Sequence, residues 1–516
     1  MRILAKEEAK FIDQWAVEKG GLPLAVLMEN AGRGVAEAIV EAFEEIESPL
    51  EIVIVAGKGN NGADGLVAAR QLEEWGHEVR IVIPNDDSHA SELFDQQMAA
   101  IDALEIPVLT IEDGDVFEAA DVIVDGLVGT GLTGELRDSI QEILDRIEAH
   151  VETYPDTLLV AIDVPSGMNS NTGAVANGTM AMDITVTFGA PKIGMLLYPA
   201  RSYCGNIAVK GLGFSWEMAL LDDENKNYPT ELITPDLVAA LLPEREETAH
   251  KGTNGHTLII GGSDGMIGAP LLAAEAAVHA GAGKITAVVP SDCLKMLQSK
   301  IMPEVLTGSF GSLLHLRMHA SEKEAVAIGP GFGRSEESMT LAKTFITTMD
   351  APLVIDADAL WAIGNMDTIG DEFAKRDFPA ILTPHPGEFA RLTGLSVEEI
   401  EANRVEIARQ FALKYKVVLV LKGAPTVVAS PEGLVAVNYS GNEGMGTGGM
   451  GDTLTGIIAG LLGQGLEELE AAMAGVYLHG AAADALYEDR NFGYTPSEVS
   501  RQLPYTITEL LDFDVE

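Results

Sequence analysis

The stretch GNEGMGTGGMGDTLTG, residues 441–456, delivers an acid, Asp452, from a glycine-dense turn to the start of an apolar helix, TLTGIIAGLL. That combination suits phosphoryl transfer. Backbone N–H groups bare of side chains, set at the positive end of a helix, stabilise charge building on a phosphate, while an adjacent carboxylate takes a hydroxyl proton. The turn therefore predicts a nucleotide and an alcohol as reactants. A flexible linker would supply glycines without delivering an acid to a helix start.

A second glycine turn, GKGNNG at residues 57–62, follows the strand-like EIVIVAG and leads into the helical LVAARQLEEWG. Its GxGxxG spacing would rest a phosphate or dinucleotide on the helix start, although the pattern alone is weak. Asp86 stands where a dinucleotide fold keeps its ribose-binding acid, but the surrounding NDDSH reads better as a solvated turn. Later strand ends carry Asp125 in VDGLVGTG, then Asp163 and Ser166 in DVPSG. Oxygens from Asn61, Asp125 and Ser166 would make a hard pocket for potassium or sodium, with no His or Cys to favour zinc. Lys192, in GAPKIG, fits the same crevice or the surface equally well.

Positioning these residues needs parallel sheets. EIVIVAG, EVRIVIP, DVIVDG and TLLVAIDVP alternate with helix-period segments, and the rhythm restarts after residue 256 with TLIIGG, KITAVVP, EAVAIGPG, PLVIDAD, AILTPHPGE and VVLVLKG. The expected class is α/β in both halves. Residues 214–232, FSWEMALLDDENKNYPTEL, lose periodicity and read as an exposed connection, and 516 residues suit two folding units. With 79 acidic against 33 basic residues the net charge is −46, which opposes binding to nucleic acid or an anionic membrane. No apolar run approaches the roughly 18 residues of a membrane span, and MRILAKEEAKFIDQWAVEKG lacks the apolar core of a secretory signal. Cys204 and Cys293 have no CxxC partner, which fits a reducing cytoplasm.

In the second half, GPGFGR (329–334), DADAL (356–360), TPHPGE (383–388) and KGAPT (422–426) close successive strands ahead of the Asp452 turn. GAGK at 281–284 lacks the earlier glycine and the following Ser or Thr of a phosphate-binding P-loop, so that reading is discarded. His385, between two prolines, reads as a ligand contact ahead of a buried core histidine.

LMENAGRGVAEAI, GNNGADGLVAAR, VDGLVGTGL, IDVPSGMNSNTG and TFGAPKIGML, in that order, resemble the YjeF N-terminal family. The resemblance implies a Rossmann-like three-layer domain, residues 1–220, that interconverts the R and S hydrates of NADH and NADPH with a bound potassium ion. By it, Asn61, Asp125 and Ser166 match the ion-binding positions. Asn60, Asn61, Gly62, Ala63, Asp64, the loop Gly129, Thr130, Gly131, Leu132, Thr133, Gly134 and Glu135, and Asp163 match the substrate-binding ones. Ala63 and Gly126 replace the family's usual Gly and Ala, and both remain small. Asp163 is the expected acid–base group of that reaction, the alternative being a turn cap.

Residues from about 233 to 512 resemble the ribokinase-like YjeF C-terminal family, which implies a nucleotide-dependent NAD(P)H-hydrate dehydratase domain over residues 230–516. By that resemblance Lys422, Gly423, Ala424, Pro425, Thr426 and Gly451 contact an adenine nucleotide, with ADP expected ahead of ATP. Ala269, Gly331, His385 and Asp452 contact the hydrate, NADHX or NADPHX. Asp452 is the expected catalytic base, with magnesium on the phosphates and a homo-oligomer as the assembly. GTG at 446–448 departs from the family's usual Ala-Thr start. Two alternatives compete: a kinase for a sugar or vitamin alcohol, which would use the same turn, and a non-catalytic nucleotide sensor.

Overall fold

The computed structural model describes residues 1–43, 48–86, 88–132, 134–222, 228–245 and 247–512. The chain divides into two compact units, Arg2–Asn227 and Tyr228–Glu516, Met1 falling with the second.

The N-terminal unit begins with helices α1 (Lys6–Glu18) and α2 (Leu24–Glu41). Its seven-stranded sheet is built from β1 (Glu51–Ala56), β2 (Glu78–Val82), β3 (Val108–Leu109), β4 (Val122–Gly126), β5 (Leu158–Ile162), β6 (Ile184–Phe188) and β7 (Asn206–Lys210). They lie in the order β3-β2-β1-β4-β5-β6-β7, every pair parallel. Alternation along β1 explains the layers. Ile52, Ile54 and Ala56 pack beneath α2 and α3 (Asn60–Glu74), whereas Val53 and Val55 meet the Ile140, Ile143, Leu144 and Ile147 stripe of α4 (Asp138–Thr153). The chain order reverses between β2 and β4 on either side of β1, so the crevice at the carboxyl ends of β1 and β4 is the natural ligand position.

In the C-terminal unit the strands are β8 (Thr230–Leu232), β9 (His256–Ile260), β10 (Lys284–Pro290), β11 (Leu306–Phe310), β12 (Ala325–Ile328), β13 (Leu353–Ile355), β14 (Ile381–Leu382), β15 (Val418–Leu421), β16 (Thr426–Ala429) and β17 (Val435–Asn438). Their spatial order is β8-β17-β16-β15-β14-β13-β12-β9-β10-β11. Pairing is parallel except in the β15-β16-β17 meander. Helix α5 (Gly268–His279) packs on the sheet and also receives the long axis of α7 (Met450–Gly463), which follows α6 (Pro386–Thr393). A Cβ at Gly456 would stand 2.0 Å from the Ala273 carbonyl oxygen, so the small residues of α5 and α7 let the two backbones touch. That contact fixes where α7 begins, and with it Asp452.

The segment 214–232 is more structured than its composition suggests: it holds a short helix, Glu217–Leu221, and β8. Among the described residues no helix is long and apolar enough to cross a membrane.

Candidate active sites

In the N-terminal unit a cleft of about 760 Å³ opens over the carboxyl ends of β1, β4 and β5. The turn after β1 closes tightly, since a Cβ at Gly62 would fall 1.7 Å from the Gly57 carbonyl oxygen. That closure starts α3 at Asn60, and no side chain caps the helix. Gly59, Asn60, Asn61, Asp64, Gly129, Thr130, Gly131 and Asp163 all line the cleft, so most of the expected substrate contacts come together. Gly62 and Ala63 are buried beneath it, Leu132, Gly134 and Glu135 continue the loop, and Thr133 lies outside the described residues.

Asp86 is not free to bind a ribose. Its carboxylate accepts from the Ser88 amide (3.0 Å) and the Ser139 hydroxyl (2.9 Å), and its carbonyl accepts from Lys58. The turn reading holds there.

The expected cation ligands converge. The Ser166 hydroxyl donates to Asp125 Oδ1 at 2.6 Å, the Ser166 amide donates to Asp125 Oδ2 at 2.8 Å, and Val128 N donates to Ser166 Oγ at 2.9 Å. A Cβ on Gly129 would stand 2.9 Å from Asn61 Oδ1, so the amide lies against the same loop, and Asn61 Nδ2 is buried without a partner among the described residues. Burial pushes the Asp125 carboxyl up, against the pull of its Ser166 and Leu127 hydrogen bonds. One carboxylate among neutral oxygens suits a monovalent cation, and no group of three or more His, Cys, Asp or Glu fit to hold a metal occurs among the described residues.

Asp163 sits in the left-handed region, φ 64°, a conformation that costs energy and turns its carboxylate to the cleft edge. Lys192 is buried rather than on the surface. Its ammonium donates to Asp163 Oδ1 at 2.6 Å, to Thr187 Oγ1 at 2.7 Å and to the carbonyls of Phe188 and Ala190 at 3.2 and 3.4 Å. Those bonds occupy all three of its protons. Two further acids face the pair. Asp64 is pushed well above the usual carboxylate range by burial, then by the charges of Asp163 and Asp13. Asp13, from α1, is pushed up to about 6 by lost hydration, against the Lys192 charge and with that of Asp163.

The C-terminal unit builds its site where β12, β13, β14 and β15 end. Gly449, with φ 101°, turns the chain into α7, and no side chain caps that helix. Its first amides are thus left for an anion. Asp452 lies in the first turn, half-buried, and accepts no hydrogen bond among the described residues. Burial first, then the Asp356 charge, pushes its carboxyl up to about 7, against Lys422, with Asp358 and Glu388 adding to the rise.

Lys422 Nζ donates to Asp356 Oδ1 at 2.9 Å, and Thr455 Oγ1 donates to Asp356 Oδ2 at 2.8 Å. Burial alone would lower the ammonium's pKa, but the charges of Asp356, Glu388 and Asp452 hold it above the usual lysine value. A Cβ on Gly451 would stand only 3.2 Å from that ammonium. Lys422 therefore reaches the amides at the start of α7. The rest of KGAPT, residues 423–426, is clamped by Arg404, which donates to the carbonyls of Pro425 and Lys422 and lies where a side chain at Gly423 would project. Gly331 and Ala269 adjoin each other, a Gly331 Cβ falling 3.2 Å from Ala269 Cβ.

His385 is neither core nor demonstrably a ligand. Its side chain is 58% exposed, and its Nδ1 accepts from the amides of Gly387 (3.1 Å) and Glu388 (3.4 Å), capping α6. Sequence reasoning missed Asp13, Asp356 and the locking of Lys192. DADAL had marked Asp356 as a strand-end acid, but nothing local links it to Lys422.

Residues 24–194 match the family described as YjeF-related protein N-terminus, and residues 257–505 match NAD(P)H-hydrate dehydratase. The bifunctional NAD(P)H-hydrate repair enzyme Nnr of Thermofilum pendens is 35% identical over 99% of this chain and 97% of its own. That of Moorella thermoacetica is 38% identical over 99% and 97%, and that of Escherichia coli 36% over 90% and 86%. Among solved structures, the ADP/ATP-dependent NAD(P)H-hydrate dehydratase from Bacillus subtilis, co-crystallised with ATP and Mg2+, is 37% identical over 54% of this chain and 98% of that one, with a TM-score of 0.49. With two parallel-sheet units, each matching its own family model, and relatives of 35–38% identity along 99% of its length, the chain belongs to the family of bifunctional NAD(P)H-hydrate repair enzymes.

Proposed function

We propose that residues 230–516 dehydrate the S form of NADHX and NADPHX, with ADP ahead of ATP as phosphoryl donor, and that residues 1–220 interconvert the R and S forms. The observation that carries the reading is Asp452 at an uncapped, glycine-delivered helix start, with the Lys422 ammonium beside the same amides. Hydroxide leaves C6 of the hydrated nicotinamide poorly, and phosphate leaves well. Asp452 takes the hydroxyl proton as the oxygen attacks the terminal phosphate. The α7 amides and Lys422 hold the charge that develops. The ring nitrogen's electron pair then expels phosphate, and loss of a C5 proton restores the double bond. ADP leaves as AMP, and atoms balance without redox change. Magnesium would ride on the nucleotide phosphates rather than in a carboxylate cage, in keeping with the absence of one among the described residues.

In the N-terminal unit the reversible step is ring opening of the carbinolamine. Asp163, paired with the Lys192 ammonium, takes the C6 hydroxyl proton as the C6–N1 bond breaks, and closure on the other face inverts the centre. Asn61, Asp125 and Ser166 would hold potassium, which supplies charge balance beneath the loop that contacts the hydrate.

Joining the units is chemically economical, because hydration yields both epimers and a dehydratase shaped around one would strand the other. The test mixes purified protein with mixed hydrates and ADP or ATP in turn. Recovered absorbance at about 340 nm with free phosphate supports repair. A stable phosphorylated product would replace it with the kinase reading, and binding without turnover with the sensor.

A further inference from the structure

We infer that Asp13 is a second proton carrier of the N-terminal site, delivering a proton to the ring nitrogen while Asp163 takes one from the hydroxyl. This rests on the epimerase reading of that unit and adds a residue that no motif in the cleft identifies. Ring opening needs two proton transfers on different atoms. The O–H proton leaves as the C=O forms, and the electron pair of the breaking C6–N1 bond must be met by a proton on nitrogen. One carboxylate already engaged with a cation serves the first transfer only.

The geometry eliminates Lys192 as the second carrier. Its protons are committed to Asp163, Thr187 and two carbonyls, so giving one up would break a buried ion pair. Asp13 is differently placed. It stands on α1 one residue after Ile12, which is packed inward with Glu8 and Ala16, and so lies at the rim where the helix meets the cleft. It makes no hydrogen bond among the described residues that would commit its oxygens. The charged groups facing it are Asp64 from α3, Asp163 after β5 and Lys192 after β6, with Lys6 and Lys10 on its own helix. Lys58, Arg137 and His89 line the same cleft. Lost hydration, helped by the Asp163 charge and opposed by that of Lys192, pushes its carboxyl up to about 6, where it holds a usable proton near neutrality.

The sign is fixed by that role. A donor works while protonated, so epimerisation falls as pH rises through about 6 and keeps that limb only while Asp13 is present. The experiment uses the full chain and its Asp13→Asn and Asp13→Glu variants, with R-enriched NADH hydrate, following R-to-S conversion by chiral chromatography after subtraction of the uncatalysed rate. Dehydration of the S form by the other unit serves as the internal control. Asp13→Asn is expected to lose about 100-fold or more in kcat with KM little changed, to lose the limb, and to keep S-form dehydration. Asp13→Glu is expected to restore part of the rate with a displaced limb. Turnover of Asp13→Asn within threefold of the parent, or a rise in KM alone with the limb retained, overturns the assignment. A parent chain that does not interconvert the epimers at all overturns the epimerase reading itself, and Asp13 with it.

Discussion

Asp452→Asn separates function from stability at one atom pair. In the folded chain burial and the Asp356 charge carry this carboxyl from its ordinary 3.8 to about 7. At about 1.4 kcal/mol per pH unit, its ionised form costs the fold about 4 kcal/mol, an upper figure because the charge is shared with neighbours. The unfolded chain ionises near 3.8 and the folded one near 7, so over that interval the folded state holds the extra proton. This contribution to stability is present below about 4, falls as pH rises, and is fully lost above 7. Asparagine keeps the shape and escapes the charge. The variant is therefore expected to melt several degrees above the parent at pH 8, and its advantage should shrink by about half at pH 5.5.

Turnover moves the other way. Losing a general base costs about 100-fold to 10,000-fold, so dehydration of the S hydrate should fall at least a hundredfold. The parent's rate should climb through pH 7 as Asp452 ionises, and the variant's should not. Phosphate release and recovered absorbance at about 340 nm measure the first outcome, and thermal unfolding of the C-terminal unit at both pH values measures the second. Turnover within tenfold of the parent, or a variant less stable than the parent at pH 8, would refute the reasoning.

Gly451→Ala places a methyl 3.2 Å from Lys422 Nζ and should raise the KM for ADP at least tenfold, while epimerisation is untouched; an unchanged KM would remove Lys422 from the phosphate site. Asp163→Asn strips the buried Lys192 ammonium of its carboxylate at 2.6 Å, which should destabilise the N-terminal unit by about 3 kcal/mol and cut epimerisation by about 100-fold or more. Adding Lys192→Met should return the stability but not the turnover, as read by denaturant titration and by R-to-S conversion. Exchanging potassium for a bulky organic cation should slow epimerisation and spare Asp125→Asn any further loss, and rates indifferent to the exchange would argue against the Asn61, Asp125, Ser166 pocket.

Strand ends bearing glycine and an acid were readable because both residue types are rare within buried strands. That is why Asp125, Asp163 and the Asp452 turn stood out before any coordinates. Pairings across strands were not readable. Lys192 is 29 residues from Asp163, and only the parallel register of β5 and β6 brings the ammonium under the carboxylate. Lys422 and Asp356 are 66 residues apart and meet for the same kind of reason, across β13, β14 and β15. Asp13 was hidden by its company, since KEEAKFIDQWAVEKG reads as an ordinary charged amphipathic helix. The role of His385 as the cap of its own helix was not readable from the flanking prolines. In residues 214–232, Asp, Asn and Pro suggested an exposed connection, yet Trp216 lines the N-terminal cleft.

Both sites contain a lysine–aspartate pair, and the two ammonium groups place their protons differently. Lys192 donates to protein oxygens, so it holds Asp163 in place and has no donor left for anything else. The Lys422 ammonium has one hydrogen bond among the described residues, to Asp356, and stands 3.2 Å from where a Gly451 side chain would begin. Its remaining donors point a buried positive charge at the open amides of α7, where an incoming phosphate would complete the set. The same accounting explains why the Asp452 carboxyl rises while Lys422 stays charged. Asp356 is bonded to the ammonium and to Thr455, and its charge favours the charged form of Lys422 and penalises that of Asp452. Removing Asp356 would therefore act on both partners with opposite sign. Asp356→Asn should lower the pH at which dehydration reaches half its maximum and, with Lys422 less well held, weaken nucleotide binding. A variant that moved only one of the two would show that the pair and the base titrate independently.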